Sequence, residues 1–196
     1  MRLKKAIKKE NGRKKRFLIF MIVISIFLPA VVYFYKIRST FILSYLGVIE
    51  FLIAIAVLAK VNYHKLDFKC SNNKLEMKNS LFLKKNLLLC DKVALVHTDK
   101  YKEEMEIIII TTVGFKNTSL SPVTGGFLKR YPEAGEKYLK IKKMNPENMY
   151  YFKIIKRGGF KKYQLLDVIY RNCVKAVYTS SAIESIKLAR EQNEFK

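Results

Sequence analysis

The sequence predicts a membrane α-helical hairpin followed by a cytosolic α+β domain, in which an antiparallel strand meander precedes helices. Half of the 196 residues are hydrophobic, yet Lys and Arg outnumber Asp and Glu by 38 to 16. Two long apolar stretches hold one acidic residue between them, Glu50, and short apolar segments separated by turn residues follow. Apolar and charged residues are therefore segregated into regions with different environments.

Two apolar stretches predict membrane-spanning helices. Residues 17–35 and 41–59 are each 19 residues long, which at about 1.5 Å per residue crosses roughly 30 Å of hydrocarbon. A helix satisfies its own backbone polar groups, as a lipid environment requires. A cleaved signal peptide is the alternative for the first stretch, but its apolar region is usually only ~7–15 residues long and a small-residue cleavage site follows it. We therefore predict an anchor.

The flanking charges predict the orientation of the hairpin. Nine basic residues precede the first helix, Lys36 and Arg38 lie in the turn, and Lys60, Lys65 and Lys69 follow the second helix. The positive-inside rule places both termini in the cytoplasm of a bacterial-type inner (plasma) membrane. The predicted parts are a basic cytosolic tail (1–16), a first transmembrane helix (17–35), an extracytoplasmic turn (36–40), a second transmembrane helix (41–59) and a cytosolic α+β domain (60–196), strand-rich over 65–113 and helix-rich over 130–196.

Glu50 is a carboxylate within the second apolar stretch. An antiparallel hairpin brings it to the depth of Ser25, whose carbonyl is freed because Pro29 has no N–H. Burial in lipid favours a neutral carboxyl, which can donate to that carbonyl or to the Ser25 hydroxyl. Gly47 and Ala54 share the face of Glu50 and permit close helix contact. We predict that these residues pack the hairpin or a dimer.

A proton or ion relay is the alternative role for Glu50, because intramembrane acids are often functional. One acid without a basic partner or a second carboxylate makes a poor conduction path, so packing is preferred. Glu50→Gln is then expected to preserve membrane assembly and Glu50→Leu to weaken it.

The region after the helices has the alternation of short antiparallel strands. The predicted strands are residues 66–70, 75–77, 81–84, 87–98 with an irregularity near Cys90 and Asp91, and 104–112, with turns at residues 71–73 and 79–80. Cys70, Cys90 and Cys173 are odd in number and widely spaced, which indicates reduced, buried thiols rather than a disulfide framework or a zinc site.

The progression KLEMKNSLFLKKN, then DKVALV, directly after a two-helix anchor resembles small bacterial membrane proteins with a pleckstrin-homology-like (bPH) cytosolic domain. The resemblance covers residues 17–113 and rests on hydrophobic pattern, turn placement and anchor architecture. It implies a bent antiparallel barrel or sandwich closed by a helix, and a role in binding partners or lipids at the membrane. The chain departs from this pattern after Phe115, where about 80 residues with a large helical share follow.

The second half repeats a short pattern, TGGFLKRY at residues 124–131 and RGGFKKY at residues 157–163. Each reads as a Gly-Gly turn followed by an aromatic residue and basic residues. Helices are predicted from Pro132 to Met144, over 163–172 and over 180–193, the last with Ser181 and Glu184 in capping-box spacing. A strand is predicted over 149–156.

These turns predict an anion-binding site. Glycines allow backbone N–H groups to point at a phosphate, and five cations accompany them: Lys129, Arg130, Arg157, Lys161 and Lys162. Two ordinary chain reversals are the alternative, because neither turn has phosphate-loop spacing. An anionic lipid head group is the expected ligand, since the membrane is close and attracts basic segments.

Catalysis and nucleic-acid binding have little support in the sequence. His64 and His97 lack metal-ligand spacing, and no catalytic or nucleotide-binding motif occurs. Folding can still join distant residues, such as Cys90, Asp91 and His97. Aromatic residues near 150 can stack on bases, but no recognition motif accompanies them. We expect no enzyme, cofactor or metal, and we disfavour nucleic acid as a partner.

The sequence thus predicts a membrane-anchored scaffold or regulatory protein that binds a protein partner or anionic lipid. The alternative is a small accessory subunit of a transport, secretion or immunity system, which acts through its hairpin. A protein partner, including a second copy of the chain, is expected in either case.

Overall fold

A computed structural model of the protein describes residues 2–36, 39–78, 86–101, 104–114 and 120–191. The chain divides into two compact units, Met1–Tyr63 and His64–Lys196, and each is described by itself.

The first unit is a pair of long helices, α1 (Arg2–Phe34) and α2 (Thr40–His64). The segments Lys8–Phe34 and Thr40–His64 have mean hydropathies of 2.7 and 2.5, and both are long and apolar enough to cross a membrane. α1 begins at Arg2, so the basic tail and the first apolar stretch form one continuous helix. Lys36 follows α1 with a positive φ of 51°, while Arg38 lies outside the described residues.

The second unit begins with a three-stranded antiparallel sheet. Its strands, in the order β1-β2-β3, are β1 (Asp67–Ser71), β2 (Lys74–Lys78) and β3 (Asn86–Leu89). Asn72 and Asn73 both have positive φ values, 49° and 59°, as the two-residue turn of a tight hairpin requires. The predicted turn at Asn79 and Ser80 and the predicted strand over 81–84 lie outside the described residues.

A five-stranded sheet follows, in the order β6-β7-β5-β4-β8. A single 3₁₀ turn, Cys90–Lys92, separates β3 from β4, and this is the predicted irregularity. The pairing of β4 with β8 is parallel, and the other pairings are antiparallel. The strands are β4 (Val93–Tyr101), β5 (Glu104–Thr111), β6 (Ser121–Pro122), β7 (Tyr151–Ile155) and β8 (Val177–Tyr178).

Four helices complete the unit: α3 (Gly125–Arg130), α4 (Pro132–Met144), α5 (Lys161–Asn172) and α6 (Ser180–Arg190). Successive side chains of β5 point to opposite faces of the sheet. Ile107 and Ile109 pack in one apolar cluster with residues of α5, α6 and the three-stranded sheet. Ile108 and Ile110 pack in another with residues of α3 and α4. Both faces are covered, which explains the continuous apolar run of β5. The predicted sequence of two apolar helices followed by a mixed α/β region with antiparallel sheet is confirmed.

The predicted capping box of the last helix is wrong. The N-cap is Thr179, whose hydroxyl accepts a hydrogen bond from the Ala182 N–H. The Glu133 carboxylate, from α4, accepts bonds from the N–H groups of Ser180 and Ser181. A distant acid therefore satisfies the helix terminus, which leaves Glu184 exposed on the outer side.

The two Gly-Gly pairs have different conformations. Gly158 and Gly159 form a turn with φ values of 116° and 50°, as predicted. Gly125 and Gly126 are instead the first residues of α3, so the first predicted turn is wrong. The helical conformation places Phe127 in the core, 4.4 Å from the Phe152 ring between centroids, and this packing outweighs the low helix propensity of glycine.

Candidate functional site

The turn before α5 lies against the first residues of the second unit. A Cβ atom on Gly158 would lie 2.6 Å from Cδ2 of Leu66, and Leu66 is buried. Only glycine permits this approach, because the φ of 116° is also one that other residues rarely adopt. The contact holds the turn beside the residues that follow α2 in the chain. We call this arrangement, formed by Lys65, Asp67, Arg157 and Lys161, the basic entry site.

Three cations and one carboxylate make up the basic entry site. The Nζ atoms of Lys161 and Lys65 each lie 3.9 Å from a carboxylate oxygen of Asp67. Arg157 is exposed. The Lys161 and Asp67 side chains are both more than half exposed, and such solvated pairs contribute little to stability. The ammonium groups therefore remain able to turn toward another anion, and the site has a positive excess.

Lys162 does not serve the predicted anion site. It is 2% exposed, and its ammonium donates a hydrogen bond of 2.8 Å to the carbonyl of Lys156. The side chain thus links α5 to the end of β7 inside the fold. Its neighbour Lys161 points outward and stays accessible.

Lys129 and Arg130 lie apart from the basic entry site. Both are exposed in the last turn of α3, and the Arg130 guanidinium lies 5.4 Å from the Tyr131 ring centroid. Because α3 and α5 pack on opposite faces of the five-stranded sheet, the five predicted cations do not form one site. Arg157 and Lys161 stay together, and the sequence analysis missed Lys65 and Asp67 as their neighbours. The signal for these two residues was their position directly after the second apolar stretch.

Glu50 contacts α1 within the first unit. The Ser25 hydroxyl donates a hydrogen bond of 2.5 Å to Glu50 Oε2. Glu50 Oε1 is buried and has no hydrogen-bond partner among the described residues. A groove of about 270 Å³ surrounds this carboxylate. The hydroxyl of Ser25, one of the two predicted acceptors, is thus a donor to Glu50.

Gly47 and Ala54 differ in their surroundings. Ala54 lines the groove beside Glu50. A Cβ atom on Gly47 would meet nothing within 4 Å, so Gly47 is not a point of close contact between α1 and α2. Pro29 lies inside α1, four residues after Ser25.

His97 is the centre of a buried polar cluster. Its Nδ1 atom lies 3.0 Å from Thr179 Oγ1, 3.2 Å from Ser181 Oγ and 3.7 Å from Glu133 Oε2. A nucleophile relay needs the hydroxyl and the acid on different ring nitrogens, whereas here both face the same one. The arrangement supports the start of α6 and does not resemble a hydrolase triad.

Acid sensitivity is expected from His97. Burial lowers its pKa below the ordinary 6.5, although Glu133 opposes this shift. The unfolded chain therefore takes up the proton first, and the free energy of unfolding falls as pH drops below about 6.5. His97→Asn should reduce this loss between pH 6.5 and 5.5 by up to about 1 kcal/mol. Urea unfolding followed by circular dichroism at both pH values measures it, and equal losses in both proteins would contradict the assignment.

The three cysteines converge, although they are distant in sequence. Cys70 Sγ lies 3.9 Å from Cys90 Sγ, and Cys173 is also hydrogen-bonded to Cys90. Burial, together with Cys90, raises the pKa of Cys70 to about 11 and also raises the pKa of Cys173. Such thiols stay protonated at neutral pH and are poor nucleophiles.

The distant residues named as a catalytic possibility are not joined. Asp91 accepts a hydrogen bond from the Asn73 side chain, Cys90 packs with the other thiols, and His97 lies in its own cluster. Among the residues that the structure describes, no group of three or more His, Cys, Asp or Glu side chains could hold a metal ion.

Comparisons with known proteins leave the site to speak for itself. No protein-family model, no curated protein and no solved structure matches the chain. Function is therefore argued from the geometry of the two units alone.

Proposed function

We propose that the chain is a two-pass inner-membrane protein whose cytosolic α+β domain binds its partner without transforming it. The partner of the basic entry site is the phosphate of anionic lipid head groups. The observation that carries this proposal is the packing of the Gly158 turn on Leu66, because Leu66 follows the last residue of α2 by only two positions.

Connectivity limits how far this part of the domain can lie from the membrane. Two residues of extended chain span at most about 7 Å. If α2 crosses the bilayer, the residues that pack on Leu66 have to lie within short reach of its surface. The predicted orientation puts that surface in the cytoplasm, where anionic lipids are found. Arg157, Lys161 and Lys65 would then meet head-group phosphates.

The charge of the chain is consistent with such a partner. From Lys60 onward the sequence contains 27 basic and 14 acidic residues. Each Lys or Arg near an anionic leaflet contributes on the order of 1 kcal/mol. Arginine can also bind phosphate in a bidentate manner, which suits the exposed Arg157.

The pleckstrin-homology-like fold remains part of this proposal. The three-stranded meander β1-β2-β3 directly after α2 supports it. The five-stranded sheet with its parallel β8, and the helices on both of its faces, are additions to the strand meander that the resemblance describes.

An accessory role through the hairpin is the second candidate function. It is favoured by one observation, the buried Glu50 Oε1 without a hydrogen-bond partner. A polar atom in this position calls for a partner in the membrane.

Charge reversal at the basic entry site tests the lipid proposal. In nanodiscs, hydrogen exchange of the amides around residues 157–161 should be slower with phosphatidylglycerol than with phosphatidylcholine. Arg157→Glu with Lys161→Glu should remove this difference, because each cation is worth about fivefold in association. Lys140→Glu with Lys143→Glu, two exposed positions of α4, is the matched control and should retain it. Equal exchange in both lipids for the unchanged protein would sink the proposal.

A further inference from the structure

The two oxygens of Glu50 have different surroundings. Oε2 accepts the hydrogen bond from Ser25 that joins α1 and α2. Oε1 is buried and accepts none from the described residues. A buried polar atom without a hydrogen bond costs roughly 1–3 kcal/mol in proteins. The hairpin alone therefore leaves half of the carboxyl group unsatisfied.

The groove around Oε1 has the character of a helix-packing surface. It is formed by both helices, with Met21, Ile22 and Ile26 from α1 and Ile53, Ala54 and Val57 from α2. All six side chains are apolar, and Ala54 lies one turn from Glu50, where a small residue lets a second backbone approach. α2 has no buried residue within the hairpin, so its surface is open to another helix.

We propose that a second copy of the chain occupies this groove, and that Oε1 of Glu50 shares a proton with Oε1 of Glu50 in that copy. The proposal rests on the membrane insertion proposed above. One carboxyl is protonated and donates, while the other is ionised and accepts. The Ser25 bond to Oε2 is kept in both copies.

Symmetry favours a second copy over other occupants. Two copies with the same orientation in a membrane are related by an axis along the membrane normal, which places identical residues at identical depths. Glu50 of one copy is then level with Glu50 of the other, and no other acidic or basic residue occurs in the two predicted spans. A charge-assisted O–H···O⁻ bond is among the stronger hydrogen bonds.

The pair also solves a problem of charge. A single ionised carboxylate in hydrocarbon is costly, and two would repel each other as well. A shared proton leaves one charge on two side chains, stabilised by four oxygen positions and two serine hydroxyls. A foreign helix with a basic residue, or a lipophilic cation, would fit the carboxylate but has nothing in this chain to specify it.

Disulfide crosslinking in membranes tests the proposal with the full-length protein. Ala54→Cys lies on the groove face, whereas Leu52→Cys lies on the opposite side of α2 and is exposed. The native cysteines are the same in both proteins, so they provide a common background. Mild oxidation should yield a crosslinked dimer for Ala54→Cys and not for Leu52→Cys.

Variants at Glu50 then examine the hydrogen bond. Glu50→Gln should retain the crosslink, since an amide can both donate and accept. Glu50→Leu should weaken dimerisation by about 3- to 30-fold, the range expected for a hydrogen bond between membrane helices, as measured by energy transfer between labelled copies diluted in lipid. Crosslinking that is equal in Glu50→Leu and the unchanged protein would overturn the shared-proton pair.

Extraction with alkaline carbonate separates the two proposals. A protein that resists extraction and shows no Ala54→Cys dimer refutes the second copy and leaves the membrane anchor intact. A protein that is extracted refutes both. Stoichiometric copurification of a different membrane protein, without a dimer, also refutes the second copy, because another chain then occupies the groove.

Discussion

Lys153→Met is expected to raise the free energy of unfolding by about 1–3 kcal/mol at pH 7. Lys153 lies in β7, is 5% exposed and pairs with Ile109 of the neighbouring strand. Burial lowers its pKa from 10.5 to about 8, which means that the folded protein carries a charged amine at neutral pH against its environment. A shift of this size corresponds to about 3 kcal/mol as an upper limit. Methionine has a similar length and removes the charge.

The pH dependence of stability identifies the cause. The unfolded chain binds a proton at Lys153 up to about pH 10.5, whereas the folded chain loses it near pH 8. The unchanged protein should therefore gain stability as pH rises from 8 toward 9.5, and Lys153→Met should lack this gain. Urea unfolding followed by circular dichroism is suitable, because the chain contains no tryptophan.

Lys175→Met is the matched control, since Lys175 is exposed and follows α5. It should leave stability within about 0.5 kcal/mol, as surface substitutions usually do. If Lys153→Met destabilises the protein, or if both variants change stability equally, burial of the charged amine is not the dominant effect.

Gly158→Ala is expected to lower the free energy of unfolding by about 2–4 kcal/mol. The φ of 116° is strained for alanine, at a cost of order 1–3 kcal/mol. The new methyl group would lie 2.6 Å from Leu66 Cδ2 and 2.7 Å from its Cβ. Leu66 is buried, so relief requires a shift of the turn or of the chain that follows α2, and overpacking costs a further 1–3 kcal/mol.

Gly125→Ala is the control for this substitution. Gly125 is helical, and a Cβ atom there meets nothing within 4 Å. Alanine should be neutral or stabilising by up to about 1 kcal/mol, because it restricts the unfolded chain and favours the helix. Similar midpoints of urea unfolding for Gly158→Ala and the unchanged protein would show that the turn does not depend on glycine.

Local patterns predicted much of the second unit. The Asn72-Asn73 hairpin and the apolar run of β5 were predictable because turn chemistry and strand periodicity act over a few residues. The helical start at Gly125 was not, since it depends on Phe127 packing against a strand that comes 25 residues later. The parallel pairing of β8 with β4 likewise joins segments about 80 residues apart in the sequence, and no local signal specifies it.

The sites show the same division. A short connection between two helices fixes their register, so counting along the hairpin brought Ser25 to the depth of Glu50. The cations at 157 and 161 were recognisable beside a Gly-Gly pair. Which of two adjacent lysines would be buried was not, because Lys162 is drawn inward by a backbone carbonyl at the end of β7. The contact between Gly158 and Leu66 requires the folded chain.

The continuity of α1 from Arg2 to Phe34 gives the basic segment a mechanical property. Its 33 residues measure about 50 Å as a helix, whereas the hydrocarbon layer is about 30 Å thick. In the proposed topology the first turns form a stiff rod that projects some 20 Å into the cytoplasm, and a flexible tail would instead fold back onto the lipid. Electrostatic attraction to the leaflet fades over about 8 Å at physiological salt. Arg13 to Arg16 are therefore within the field of the membrane, while the cations nearest the N-terminus are held beyond it, at the height of neighbouring soluble molecules.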